Sequence, residues 1–125
     1  MLVRPSPLAH TVIGCAIAVH RALGPGLLES AYGRCVRHEL TRRGVRFRPE
    51  VPLPLIYDGV TLDCAYRVDL IVEDELMVEL KSVDRLLPIH QTQVLTYLKL
   101  ADLHHGLLIN FNVSRLVDGV RSVLR

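Results

Sequence analysis

This 125-residue sequence has no paired cysteine spacing, no long apolar run, no internal repeat and no linker. Each absence excludes a class of protein. Cys15, Cys35 and Cys64 are odd in number, far apart and without metal-ligand spacing, which argues against a disulfide framework and against a zinc site. The thiols read as small apolar residues of a protein in a reducing, cytoplasmic compartment. No apolar run approaches bilayer length, and the start of the chain, with Arg4, Pro5 and Pro7 ahead of His10 and Thr11, does not read as a targeting segment. A half-hydrophobic composition with 22% charged residues excludes disorder. The length suits a single domain, residues 1–125, with a core of its own.

The formal charge of +2 says little about partners, but the positive charge is clustered in Arg34, Arg37, Arg42, Arg43, Arg46 and Arg48. Taken alone, such a cluster is more often a solvated helix face than a phosphate track.

Leu8, Val12, Ile13, Ala16, Val19 and Leu23 recur at helical spacing, and the "GPG" of Gly24 to Gly26 ends that helix. Leu27 to Arg43 repeats the pattern and stops at Gly44. From Val45 the period changes to that of strands, punctuated by "YDGV" and "VEDEL", which predicts three or four antiparallel strands with a hairpin at Asp58 and Gly59. Pro49, Pro52 and Pro54 put the first strand at a sheet edge or break it. Pro88 opens a third helix, "GLLINF" is a buried strand, and Ser114 is expected to cap a C-terminal helix through Leu116, Val117, Val120, Val123 and Leu124. The order α-α-β-β-β(-β)-α-β-α implies an α/β or α+β fold, a mixed sheet flanked by helices.

"RVDLIVEDELMVELK" (Arg67 to Lys81) reads as two apolar strands interrupted by Asp69, Glu79 and Lys81. Alternation puts Arg67, Asp69 and Ile71 on one face, and Met77, Glu79 and Lys81 on one face. If Glu73, Asp74 and Glu75 form a three-residue loop, Ile71 pairs with Met77 and Asp69 meets Glu79; a two-residue loop would send Glu79 to the other face. Like charges opposed across strands destabilise a hairpin unless one is protonated or a cation lies between them, and a hard divalent cation suits two carboxylates. The plain alternative is an ion pair of Lys81 with Glu79 or Asp69 and no chemistry. Three charged residues in otherwise apolar strands favour a site.

These residues resemble the PD-(D/E)XK nuclease superfamily, of restriction-endonuclease-like fold: Asp69 stands as the motif aspartate and Glu79-Leu80-Lys81 as E-x-K. The literal "PD" is absent, since Val68 precedes Asp69. "QVLTY" is similar to the Q-x-x-x-Y element of the exonuclease branch, with Gln93 and Tyr97 on one helix face. "GLLESAY" matches G-x-x-E-x-x-Y, the signature of the GxxExxY family, and "VHRALGPGLLES", "VELKSV" and "LLPIHQTQVLTYLKL" resemble it too. The resemblance implies Mg²⁺ or Mn²⁺ held by Asp69, Glu79 and Glu29, with Lys81 as a further catalytic group. Gln93, Tyr97 and Tyr32 are the implied substrate contacts, and DNA or RNA the partner. Glu29 also has a simpler reading, an acid favourable to the helix dipole. His20, His90, His104, His105 and Asp63 read as core or surface residues, and adjacent His104 and His105 do not suit a shared metal.

Three functions follow. The first is a metal-dependent nuclease. The second is a catalytically silent nucleic-acid-binding or protein-interaction module on the same fold, with specificity supplied by a homodimer or a partner protein. The third is a structural subunit, which neutralising the three charges would stabilise.

Overall fold

The computed structural model describes residues 6–125; Arg4 and Pro5 lie outside the described residues. Helix α1 (Pro7–Leu23) begins where Pro7 sets the first turn and the Ser6 hydroxyl accepts the Ala9 N–H at 3.1 Å. It buries Val12, Cys15, Ala16 and Val19 and ends at Gly24, whose φ of 70° suits a residue without a Cβ. Helix α2 (Glu29–Arg42) starts two residues later than the sequence pattern suggests, because Leu28 is extended. Tyr32, Val36 and Leu40 are its buried stripe.

The strands are β1 (Phe47–Pro52), β2 (Leu55–Tyr57), β3 (Val60–Leu62), β4 (Arg67–Val72) and β5 (Leu76–Lys81). Helix α3 (Pro88–Ala101), β6 (His105–Asn110) and β7 (Val120–Leu124) complete the chain. The main sheet runs β1-β4-β5-β6-β7 and is mixed, with β5 and β6 parallel across the α3 crossover and the other neighbours antiparallel. Proline-bearing β1 is an edge, as expected, and β2 and β3 form a separate hairpin turned at Asp58 and Gly59. Two cores result: α1 and α2 cover one sheet face over Leu70, Val72, Val78, Leu80, Leu107 and Ile109. Helix α3 covers the other over Ile71, Met77 and Leu108. Each such aliphatic side chain, fully buried, contributes about 1.5 to 3 kcal/mol.

The C-terminal helix expected after Ser114 is corrected. Leu116–Gly119 is a single 3-10 turn without a side-chain cap, and Val120–Leu124 is a strand on β6. The close approach at Gly119 has a reason: a Cβ there would overlap the Asn110 carbonyl oxygen. The segment is rich in β-branched residues and β6 offers an open edge, so pairing wins over a short amphipathic helix. The three cysteines are free, and among the described residues no helix is long and apolar enough to cross a membrane.

Candidate active site

The β4–β5 turn holds three residues, with Glu73 and Asp74 in the left-handed region, and pairs Val72 with Leu76, Ile71 with Met77 and Leu70 with Val78. Beyond Leu70 and Val78 the backbone ladder stops, and side chains replace it. The Asp69 N–H donates to Glu79 Oε1 at 2.9 Å, and the Leu80 N–H donates to Asp69 Oδ2 at 2.8 Å. Each carboxylate thus spends one oxygen on the neighbouring strand's backbone. Asp69 Oδ1 and Glu79 Oε2 have no donor among the described residues, yet no buried side-chain oxygen there lacks a partner, so both are reached by solvent.

The outer strand is distorted at the same level. Pro49 pairs with Leu70 and Val51 with Val68, but Glu50 and Asp69 do not pair, and Glu50 has a φ of 50°. Strict alternation therefore fails at Asp69. Val68, which alternation assigns to the face opposite Ile71, packs with Ile71 in the α3-side core, while Asp69 lines a cleft on the α2 side.

Electrostatics mark the pair as unusual. Glu79 is 6% exposed. Burial, then the adjacent Asp69 charge, pushes its carboxyl up to about 8. Asp69 is raised too, by burial first and by Glu29 and Glu50, against the lowering effect of the Leu80 N–H. No ion pair compensates them: among the described residues, none of the salt bridges involves Lys81. Lys81 Nζ instead contacts Gln93 Oε1 at a long 3.5 Å, and Gln93 Nε2 donates to the Tyr97 hydroxyl at 3.1 Å. Gln93 and Tyr97 thus form a rack for the lysine.

On the other side, the G-x-x-E-x-x-Y stretch is a brace. The Tyr32 hydroxyl donates to the Gly24 carbonyl and accepts the Leu27 N–H, and its ring stacks on Phe111 with centroids 4.4 Å apart. This fixes the turn that leads into α2. Glu29 Oε1 then accepts the Ser82 N–H at 3.3 Å, and Ser82 Oγ donates to the Leu27 carbonyl at 2.6 Å. Glu29 is therefore tied to the residue after Lys81. It shares with Asp69, Glu50, Arg34 and Arg37 a cleft of about 360 Å³. Tyr32 itself has no exposed surface, so the substrate contact expected of it is corrected to a positioning role.

The structure thus joins Asp69 to Glu79 directly, Lys81 to Gln93 and Tyr97, and Glu29 to the end of β5. Among the described residues no three His, Cys, Asp or Glu side chains cluster at metal-binding spacing; Asp69 and Glu79 are the two carboxylates linked across β4 and β5 through backbone N–H groups. His20 donates from Nε2 to the Val113 carbonyl at 2.8 Å, His90 Nδ1 accepts the Leu87 N–H, and His105 Nε2 meets Ser122 Oγ. Asp63 accepts the Ala65 N–H in a local turn.

Two residues escaped the sequence reading. Glu50 sits level with Asp69, a position that the proline-broken register of "RPEVP" hides. Asn110 is 1% exposed and clamps the chain after Lys81: its Oδ1 accepts the Val83 N–H at 3.0 Å and its Nδ2 donates to the Val83 carbonyl at 2.9 Å. Its signal was available, an amide ending the apolar run "GLLIN". The arginine cluster also divides. Arg42 and Arg43 pair with Glu39, Arg46 with Glu73 and Arg48 with Asp74. Arg34 and Arg37 have no ion pair among the described residues and line the cleft with Asp69.

Comparisons with known proteins agree with this geometry at the level of the family. Neither the curated proteins nor the solved structures give a match. The family model of the PD-(D/E)XK nuclease superfamily matches residues 6–123. That span contains the forked strands, both carboxylates, the lysine and the helix behind them, and the chain belongs to the PD-(D/E)XK nuclease superfamily.

Proposed function

We propose that the protein is a divalent-metal-dependent nuclease that hydrolyses phosphodiester bonds of DNA or RNA. The observation that carries this reading is the Asp69–Glu79 pair: a half-buried and a buried carboxylate, each accepting a backbone N–H across a fork in the sheet with one oxygen, and neither in a salt bridge among the described residues. Two adjacent acids whose carboxyls are both raised cost the fold stability when ionised, whereas hard oxygen donors of this kind suit Mg²⁺ or Mn²⁺, which bind through one or two carboxylates and keep several waters. Asp69 and Glu79 would hold the ion, with Glu29 completing the shell from the cleft wall. When bound, the ion supplies a Lewis acid at the scissile phosphate and a more acidic water.

The chain's own groups do the rest. Lys81, steadied by Gln93, orients the attacking water or offsets charge growing on a phosphate oxygen. Gln93 and Tyr97 stand on the substrate side of the lysine, and Arg34 and Arg37 are free to meet phosphates. The "GLLESAY" brace supports assignment to the GxxExxY branch, and the three free thiols support a cytoplasmic compartment.

The test is cleavage of labelled single- and double-stranded DNA and RNA with Mg²⁺, Mn²⁺ or EDTA, by the wild type and by folded Asp69→Asn and Lys81→Ala variants. Metal-dependent cleavage lost in both variants is the expected result. No cleavage of any substrate, with no metal binding by calorimetry, would move the assignment to a silent nucleic-acid or protein-interaction module.

A further inference from the structure

Lys81 faces a groove on the α3 side of the sheet, away from the arginine-lined cleft. Its volume is about 540 Å³, within the range of small-ligand sites. The walls are largely apolar: Leu55 from β2, Ile89 and Leu100 from α3, and the rings of Tyr66 and Tyr97, whose centroids lie 6.0 Å apart at 52°. Ile89 is 64% exposed and Tyr66 43% exposed, so the groove opens directly to solvent. Lys81 is the one lysine, arginine, aspartate or glutamate among its lining residues, two positions along β5 from Glu79.

We infer that this groove takes an unpaired nucleobase of the substrate, so that the protein acts on single-stranded nucleic acid or on frayed ends rather than on intact duplex. The inference rests on the nuclease reading for the identity of the phosphate next to Lys81. The groove's own chemistry supplies the remainder. A flat apolar ligand carrying a negative charge matches aromatic and aliphatic walls that include a single ammonium, and aromatic side chains hold bases through their π-faces without regard to sequence. The Gln93 amide at the rim has both donor and acceptor character for a base edge. A base inside a duplex is stacked on both sides and paired, and must leave the stack before its face can lie against the exposed Tyr66 ring in this groove.

The experiment measures binding apart from cleavage. Fluorescence anisotropy in EDTA follows a labelled oligonucleotide of about 12 nucleotides, single-stranded or as a blunt duplex, with wild type and with Tyr66→Ala, Tyr66→Phe and Ile89→Ser. These positions are exposed, which protects the fold. The expected result is a preference of about tenfold or more for the single strand. Tyr66→Ala is expected to weaken that binding about fivefold or more, Ile89→Ser to weaken it less, and Tyr66→Phe to retain it. Equal binding of duplex, an unaffected Tyr66→Ala, or no binding of the single strand would overturn the inference, even if metal-dependent cleavage is found. Single-strand preference lost in Tyr66→Ala would uphold the groove, even if no metal ever supports hydrolysis.

Discussion

The β4–β5 hairpin treats its acids in opposite ways at its two ends. At the turn, Glu73 accepts the Arg46 N–H at 2.9 Å and pairs with its guanidinium, and Asp74 pairs with Arg48. The Arg46 backbone N–H, then its side chain, hold the Glu73 carboxyl below the usual range. At the fork, half-buried Asp69 and buried Glu79 stand together with no salt bridge among the described residues, and both carboxyls are raised, by burial first and against the lowering effect of Lys81. One strand pair, one residue class, two outcomes. The turn acids have arginine partners and the fork acids have none among the described residues, and it is at the unpartnered pair that we propose a metal site.

Substitution breaks the comparison most strongly in catalysis. Asp69→Asn and Glu79→Gln keep a backbone-accepting oxygen, so the fork survives while the charge proposed to bind metal is gone. Cleavage is expected to fall more than about 100-fold in each, since even outer groups around a metal site cost about 10- to 100-fold. Arg46→Ala in the same assay is expected to cleave as the wild type does. Comparable losses at the two ends would show that the assay reads hairpin stability rather than chemistry.

The pH dependence of stability comes next. Unfolded Glu79 titrates near 4.5 and folded Glu79 near about 8, so between these values the native state alone keeps the proton. Stability from this group is full below about 4.5 and is lost as pH rises towards about 8, by up to about 1.4 kcal/mol per pH unit. Urea unfolding of the metal-free protein should therefore show wild type losing ground to Glu79→Gln across that window. Glu73 works in the other sense, its contribution present at neutral pH and lost as pH falls through its lowered value. A wild type and Glu79→Gln that run parallel from pH 5 to pH 8 would mean that Glu79 carries no raised carboxyl.

A cation at the fork would remove that penalty. Mg²⁺ or Mn²⁺ at about 100 times its Kd is expected to stabilise the wild type at pH 8 by about 2.7 kcal/mol. Asp69→Asn should show none of this gain, and Arg46→Ala all of it. Equal stabilisation of all three proteins would place the ion elsewhere.

The same contrast explains what the sequence could disclose. Asp69, Glu79 and Lys81 were visible because charge inside an apolar strand is costly, and the "EDE" turn length carried the register to Leu70 and Val78. Periodicity could not report that the ladder then opens, at the level where Glu50 of the neighbouring strand takes a left-handed conformation and leaves Asp69 unpaired in the ladder. Nor could it separate Arg34 and Arg37 from Arg46 and Arg48, since pairing is settled by which carboxylates the fold brings within reach. Tyr32 shows the limit of a motif: the residue is placed correctly in the pattern, yet its hydroxyl serves the turn before Glu29. The C-terminal segment failed for a related reason, since Val120, Val123 and Leu124 fit either period and only the open edge of β6 decides between them.

The smallest effect belongs to the turn and is best seen through salt. The Arg46 side chain is 79% exposed in its pair with Glu73, and solvent-exposed pairs of this kind often contribute nothing measurable. Arg46→Ala should therefore shift the urea midpoint slightly at low ionic strength. In 1 M salt, where the screening length is about 3 Å, the shift should disappear. Burial, the first cause of the raised Glu79 carboxyl, is not screened by mobile ions, so most of the difference between wild type and Glu79→Gln at pH 8 should survive the same salt. If salt erased both differences alike, the fork would be as solvated as the turn, and the physical distinction between the two ends of the hairpin would be lost.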